Sequence, residues 1–492
     1  MSSESSVDIT GYGAYIPRLR LSRKAVVDAN AWFAPNLRGR GKGTRAMANW
    51  DEDSITMAVA AARDCLGKAD DREHLRDVLL ASSTLPFAER LNAGVACGAL
   101  RLPEQVSAVD LTGTQTAALA GLSQALAGVG AGRGPALLLA ADVRKTLAAS
   151  SQELDYGDGA AALRLGTQDL IAEIIGEAAL TTDFVDRFRL GSESIDYHWE
   201  ERWVRDEGIA KLMPRVVGDA LTAAGLRADA VDHFIFPSTF AKADVQLAKQ
   251  CGIRAEAVVD NLAASVGDSG VAHGLLLLAA TLEQAQAGRI IVLAQFGNGA
   301  RAFVLRTTDR IGHFRPRTGV AGWLARGVEE HSYTRYLVYK DQLPVERGMR
   351  GEQDRKTALT TAFRHRDALL GFVAGRCRTT GAVSFPPSRF SYTPGAAALD
   401  TQEPYPLAER RGRVLSWSAE YLSFHLSPPH QYGQVDFEGG GRVLMDFTDV
   451  SPGDIATGTV VEPVFRIKDI DDLRGYKRYF WKAVPLRTAG EQ

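Results

Sequence analysis

The chain repeats itself at long range. Gly157–Leu165 reads GDGAAALRL, and Gly297–Leu305 reads GNGARAFVL. Asp77–Leu85 (DVLLASSTL) is echoed by Asp232–Phe240 (DHFIFPSTF), and Ala131–Arg133 (AGR) by Ala287–Arg289 (AGR), each AGR standing ahead of an apolar run. The three pairs keep one order and lie about 150 residues apart, far beyond the 20–50-residue period of a solenoid. Such a pattern implies one α/β unit, duplicated and fused about a pseudo-twofold axis, with the active site where the halves meet.

A chain of 492 residues is long enough for about three domains. Its 45% hydrophobic and 24% charged residues are those of an ordinary globular protein. A net charge of −2 argues against a broad nucleic-acid surface, which carries a basic face. The start, MSSESSVDIT, has neither the basic nor the apolar segment of a signal peptide, and the longest apolar runs are too short to span a bilayer. Cys65, Cys97, Cys251 and Cys377 lie far apart without paired spacing, so a reduced cytoplasmic protein without disulfides or a cysteine-built zinc site is expected.

Through about residue 310, short apolar strands alternate with Ala-rich helices, the signature of a layered α/β fold. The spacing predicts strands at Val78–Ala81, Ala136–Ala140, Ala161–Leu165, Phe234–Phe236, Ile290–Ala294 and Ala302–Leu305. Helices are predicted at Ser54–Gly67, Thr116–Gly128, Pro214–Ala224 (with Pro214 at its first position) and Val271–Ala287. Two of these, Thr116–Leu126 and the one holding Leu275–Leu278, are apolar nearly all round, which marks buried helices. Buried helices in matching positions imply a helical layer between sheets, with helix N-termini aimed inward, where they can stabilise an anion or thiolate. Beyond a charged linker at Gly348–Thr357, short runs at Arg413–Trp417, Arg442–Phe447, Gly458–Val464 and Arg478–Ala483 read as a small β-barrel.

The motifs resemble the thiolase superfamily, in its 3-hydroxy-3-methylglutaryl-CoA synthase-like branch. The resemblance covers about residues 5–345 and is carried by Gly11–Pro17 (GYGAYIP), Asp51–Ala58 (DEDSITMA), Ser83–Ala93 (STLPFAERLNA), Ala141–Arg144 (ADVR), Gly157–Ala162 (GDGAAA) and Pro237–Lys242 (PSTFAK). The C-terminal part is similar to the acyl-CoA-associated module of a zinc ribbon and an OB-fold, through Cys377–Gly381 (CRTTG), Phe385–Pro387 (FPP) and Val414–Pro485. The expected fold is therefore α/β: duplicated thiolase-like sheet–helix–sheet layers plus a C-terminal OB-fold barrel. The expected domains are residues 1–167 and 168–345 for the two halves, 346–395 for linker and degenerate ribbon, and 396–492 for the OB-fold.

The resemblance places a nucleophilic Cys at the start of the first buried helix, and that seat is empty. In Thr112–Leu119 (TGTQTAAL) it falls on Thr112, or on Thr114 if the alignment slips. The partner His position falls on Pro237, and the Asn before the second buried helix on Asp268. Cys97 and His233 read as structural residues; His273 reads as a core histidine or one that touches the site. Glu89 matches the proton-moving glutamate of synthase-type relatives, its blander reading being a solvated or Arg90-paired side chain. Thr112 suits a donor to a thioester carbonyl better than a nucleophile, because no base stands beside it. Tyr333, Tyr336 and Tyr339 have the spacing of a packing helix. Arg38, Arg40, Lys42, Arg45 and Lys242 match places where relatives bind the phosphates and channel of coenzyme A, or are plain solvated charges. The ribbon keeps Cys377 but has Thr380 at the next ligand position, and Phe390–Pro394 (FSYTP) has no Cys, so no zinc is expected.

These features imply an acyl-CoA enzyme acting beside a thioester without a cysteine adduct, of retro-aldol type. A Claisen-type acyltransferase with a non-Cys mechanism, or a non-catalytic acyl-CoA-binding partner of an active thiolase-like subunit, are the other readings. Coenzyme A enters only as part of the substrate. A homodimer through the thiolase-like part is expected, with no nucleic acid and no membrane.

Overall fold

The computed structural model describes residues 7–67, 71–348, 358–471 and 473–487. The amino-terminal MSSESS and most of the expected linker lie outside these. The chain divides into two units, one of Met1–Ala48, Asp53–Ala96 and Leu102–Tyr336, the other of Asn49–Glu52, Cys97–Arg101 and Leu337–Gln492.

In the first unit the duplication is visible strand by strand. The first half supplies β1 (Asp8–Tyr15), β2 (Asp77–Ala81), β3 (Ser107–Leu111), β4 (Ala136–Asp142) and β5 (Gly159–Gly166). The second supplies β6 (Ala172–Thr181), β7 (His233–Ile235), β8 (Ile290–Phe296) and β9 (Gly299–Thr307). The strands run β7-β8-β9-β6-β1-β5-β4-β2-β3 in one nine-stranded sheet. Read outward from the centre, each half has the same order and the same senses. β2 is parallel to both β4 and β3, and β7 is parallel to β8, while the remaining junctions within each half are antiparallel. The missing fifth strand of the second half is reduced to one bridge, Phe234 to Val258. The halves join where Ile9 pairs with Ala172.

Helices α1 (Ser54–Leu66), α2 (Ala117–Gly130), α3 (Ala210–Ala223) and α4 (His273–Gln284) complete the layers. Strand alternation sorts the core. Ile235, Ile291, Leu293, Phe303 and Leu305 face a cluster shared with α2, α4 and the first half's Leu79, Leu138 and Leu163. Phe234, Val292, Ala302 and Val304 face the opposite way, onto Met213, Val217 and Leu221 of α3. The two apolar helices are thus the buried middle layer, as their composition requires. One expectation fails: Pro214 lies inside α3 rather than at its start. Upstream, Val204–Ile209 form a π-helical stretch whose Val204, Gly208 and Ile209 are buried. Continuous burial of that face outweighs the lost backbone bond, which costs about 3 kcal/mol.

Helix α1 starts on a capping box in which Asp53 accepts from the backbone of Ile55 and Thr56. It lies so close to β1 that a Cβ on Gly13 would stand 2.3 Å from the Cys65 nitrogen.

The second unit holds a three-stranded sheet of β10 (Val373–Cys377), β11 (Val383–Ser384) and β12 (Gln402–Pro406). Beside these in sequence come β13 (Gly412–Glu420), β14 (His430–Phe437), β15 (Arg442–Asp446), β16 (Val460–Asp471) and β17 (Tyr476–Pro485), ordered β15-β14-β13-β16-β17. A bridge from Phe447 to Ala483 brings the two edges together, so the sheet curls toward a barrel. Where the ribbon resemblance requires thiolates, hydroxyls stand instead. Cys377 Sγ is 3.0 Å from Thr401 Oγ1, and Thr380 Oγ1 is 2.7 Å from Ser391 Oγ. Among the described residues no cluster of three or more His, Cys, Asp or Glu is placed to hold a metal. No helix among them is long and apolar enough to cross a membrane.

Asp64, inside α1, accepts from the backbone N–H groups of Ala14 (2.9 Å), Thr318 (2.5 Å) and Gly319 (3.2 Å). Burial nevertheless pushes its carboxyl up to about 6. A folded pKa above the unfolded value of about 3.9 gives stability that is complete below that value and lost as pH rises through 6. Thermal denaturation of wild type and Asp64→Asn from pH 4 to 7 is therefore expected to show an extra fall for wild type, worth roughly 3 kcal/mol, that the variant lacks.

Candidate active site

The doubled GDG and GNG turns do the same job in opposite halves. Gly157 packs against the loop that starts the second half's buried helix, and a Cβ there would lie 1.9 Å from the Val266 oxygen. Its N–H donates to the Asp268 carbonyl at 2.9 Å. Gly297 packs against the corresponding loop of the first half, where a Cβ would lie 2.8 Å from that of Gln115. Its carbonyl accepts from the Thr114 hydroxyl at 2.8 Å. Both helix-start loops turn on a left-handed glycine, Gly113 (φ 91°) and Gly267 (φ 78°).

The ADVR and STLP motifs brace the same region. Asp142 accepts from the Val271 N–H (2.9 Å), the Ser83 N–H (2.7 Å) and the hydroxyls of Ser82 (3.0 Å), Ser83 (2.9 Å) and Thr84 (3.1 Å). Arg144 donates to the Asp268 carbonyl at 2.6 Å and ion-pairs with its carboxylate.

A cavity of about 400 Å³ opens beside these loops. Gln115, Pro237, Asp268 and Gly270 line it, so the places assigned to the superfamily's His and Asn meet in one hollow, whereas Thr112 and Thr114, assigned to its Cys, stand outside the lining. No cysteine lines it. Its polar centre is Tyr156, whose Oη lies 2.9 Å from His198 Nε2 and accepts from Arg187 at 3.3 Å. The Arg144 guanidinium sits 3.5 Å above the Tyr156 ring, close enough for a strong cation–π contact. Backbone bridging of Tyr156 to Asp268 fixes this group against the start of α4.

Burial pushes the Tyr156 phenol above its ordinary value, against the pull of Arg144 and Arg187. Burial, reinforced by Arg187, lowers His198 to about 4. Burial alone would raise Asp268, but the charges of Arg144 and His273 and the Gly270 N–H together hold it below the usual carboxylate range. At neutral pH the site thus holds a protonated phenol, a neutral imidazole and an ionised Asp268. Such a pair can pass a proton in either direction.

The remaining sequence candidates fall into three groups. Arg40 lines the cavity, paired with Asp155 at 2.5 Å, and Lys242 is exposed beside Ala241, which also lines it. Arg38, Lys42, Thr112 and Glu89 are exposed and stand outside the lining; Thr114 is half-buried and braces Gly297. Arg45 is corrected: it is fully buried, donating to the Glu153 carbonyl (2.5 Å) and Tyr336 Oη (3.3 Å), so no phosphate reaches it. His273 is a buried histidine with Nε2 2.9 Å from the Asn261 carbonyl. Cys97 is half-buried and outside the cavity. Tyr333 and Tyr336 pack in the helix Tyr333–Tyr339.

Tyr156, Arg187 and His198 were not among the sequence candidates. Tyr156 directly precedes the GDG turn, a signal that was available. Arg187 and His198 lie on a two-stranded ribbon of Arg187–Phe188 and Tyr197–His198, which no repeated motif marks.

With this geometry in view, the likeness to known proteins has a definite shape. The first unit has a thiolase-like α/β fold. It superposes on MvaS in complex with 3-hydroxy-3-methylglutaryl coenzyme A with a TM-score of 0.58, at 18% identity, covering 69% of this chain and 92% of that one. A 3-oxoacyl-(acyl carrier protein) synthase III from Pseudomonas aeruginosa gives a TM-score of 0.56, at 24% identity, covering 62% of this chain and 98% of that one. In sequence, the hydroxymethylglutaryl-CoA synthase of Caldivirga maquilingensis is 28% identical over 348 residues, 68% of this chain and 96% of that protein. That of Archaeoglobus fulgidus is 28% identical over 342 residues, 68% and 97% of the two chains. Residues 405–466 match the C-terminal OB-fold domain of ChsH2. The chain is thus similar in sequence to hydroxymethylglutaryl-CoA synthases and thiolase-like in the fold of its first unit, and it carries a match to a ChsH2-type OB-fold domain.

The cross-braced glycines can be tested directly. Gly157→Ala is expected to cost about 3 kcal/mol or more, because the new methyl would stand 1.9 Å from a backbone oxygen, and Gly297→Ala to cost less, because its nearest approach is 2.8 Å. Denaturant unfolding of the two variants checks the order.

Proposed function

We propose that this protein cleaves or forms a carbon–carbon bond beside a coenzyme A thioester, by aldol-type chemistry without an acyl-enzyme. The observation that carries the reading is the Tyr156–His198–Arg187 cluster in the hollow that Pro237, at the place of the superfamily's imidazole, also lines. In the cleavage direction the substrate is a 3-hydroxyacyl-CoA. Tyr156 takes the proton of the 3-hydroxyl while its own proton moves to His198. The C2–C3 bond breaks, its electron pair becomes the thioester enolate, and C3 leaves as an aldehyde or ketone. The proton returns through Tyr156 to C2, giving the shortened acyl-CoA. Arg187 and Arg144 stabilise the charge that develops on the phenol oxygen and ring. The N-terminal end of α2, just after Gln115, supports the enolate oxygen through its helix field. Arg40 and Lys242 are the cations of the proposed coenzyme A path. Thr114 acts through its brace on Gly297, whereas Glu89, exposed outside the lining, has no assigned step.

Incubation of the purified chain with a panel of 3-hydroxyacyl-CoAs tests the reading, with the released carbonyl compound as readout. Cleavage is expected to survive Cys97→Ala and to fall about 10²–10⁴-fold in Tyr156→Phe. Because His198 must be neutral to accept the proton, kcat/KM is expected to fall as pH drops through about 4 rather than 6.5. Dependence on free coenzyme A would indicate acyl transfer instead. Activity that appears only on adding a second, thiolase-like subunit would indicate a binding partner rather than a self-sufficient enzyme.

A further inference from the structure

The ribbon that carries Arg187 and His198 has little apolar packing to hold it. Each strand is two residues long, with Phe188 opposite Tyr197 and Arg187 opposite His198. A lone two-stranded ribbon is marginal in water without a packed face. Here Phe188, Leu190, Tyr197 and Trp199 are exposed, and no apolar side chain from Val185 to Trp203 is buried. Aromatic packing is found at the root, where Phe184 meets Trp203 and Phe296. Polar contacts must therefore fix the rest. On the cavity side, Arg187 and His198 both meet Tyr156 Oη. Two residues beyond Arg187, Arg189 pairs through Nη1 with Asp196 at 3.1 Å, which closes the ribbon, and donates through Nη2 to the Ser83 carbonyl. The Asp196 side chain is only 10% exposed, so water and salt screen this pair less than a surface one. Ser83 is itself fixed: its N–H and hydroxyl donate to Asp142, which also accepts from the Val271 N–H ahead of α4. Arg189 thus ties the ribbon to the frame that holds the start of α4, where the backbone of Tyr156 is bridged to Asp268.

We propose that Arg189 is a positioning residue: by joining the ribbon to Ser83 and Asp196, it holds His198 and Arg187 on the Tyr156 phenol. Its catalytic consequence rests on the reading of Tyr156 and His198 as the proton pair, whereas its effect on position does not. The test follows His198 in wild type, Arg189→Gln and Arg189→Lys by two readouts. The first is carbethoxylation of His198 by diethyl pyrocarbonate, mapped by mass spectrometry with His233 of β7 as the internal reference. Arg189→Gln is expected to speed modification of His198 about tenfold, as the ring leaves its buried place, and to leave His233 unchanged. The second is the NMR titration of His198, whose ring is faced by Tyr156, Arg187, Asp196 and Arg144. Its midpoint is expected to move from about 4 in wild type toward the ordinary 6.5 in Arg189→Gln. Arg189→Lys keeps the charge without the planar fork and is expected to fall between the two in both readouts. It carries the comparison alone if Arg189→Gln does not fold. Unchanged His198 in the variants, or equal acceleration at His233, would overturn the proposal. In the 3-hydroxyacyl-CoA cleavage assay, kcat is expected to fall about 10–100-fold in Arg189→Gln with KM little changed. If wild type cleaves none of these thioesters, the proposed function falls, and the two His198 readouts still decide the role of Arg189.

Discussion

Everything near the cavity depends on two backbone crossings related by the duplication. Each glycine turn, Gly157 in one half and Gly297 in the other, reaches across to the loop that begins the opposite buried helix. Neither half can place its helix start without the other. That reciprocity explains why the GDG and GNG turns are among the clearest echoes in the sequence. A side chain at Gly157 would collide with backbone, so the turn has little freedom to diverge. Strand order and core packing tolerate apolar exchange more readily, and there the halves share pattern rather than letters.

Legibility in the sequence followed the same physical division. Alternation and turn residues locate β4, β5, β8 and β9 to within a few residues, because each has a clear apolar run ending at a glycine or charged turn. β1 and β6 escape that reading. β1 contains Gly11 and Gly13, which dilute its apolar pattern but are needed where Phe314 and helix α1 press on the strand. β3 escapes too: it is an edge strand with exposed Ser107 and Val109, so no buried run marks it. At the site, the Cys and His positions were assigned by resemblance, and of these only Pro237 lines the cavity. The residues found there were not, since Arg187 and His198 reach the cavity only through a ribbon whose sequence has no counterpart in the other half.

Arg45 shows how a charge pattern misleads. Four cations between Arg38 and Arg45 look like one basic loop. In the strand Thr44–Met47, however, Arg45 is buried and donates through Nη1 to Glu153 and Tyr336. Only Arg40 of the four lines the cavity, and it is already paired with Asp155. A run of charges records composition along the chain, whereas access to a ligand depends on which side of a strand or turn each residue takes.

A helix start keeps its electrostatic field whichever residue stands there. Helix-end N–H groups polarise a nearby carbonyl whichever group attacks it, because their field comes from the backbone. What changes is the proton chemistry. A thiolate is stabilised by a helix N-terminus or a cationic neighbour such as imidazolium, whereas burial and Arg187 keep His198 neutral at physiological pH. A neutral imidazole next to a phenol held by two arginines accepts a proton and gives it back, without fixing a charge for an acyl-enzyme. On that basis the Tyr156–His198 pair suits a reaction whose proton leaves one substrate atom and returns to another. The aldol-type chemistry proposed for this protein has that requirement.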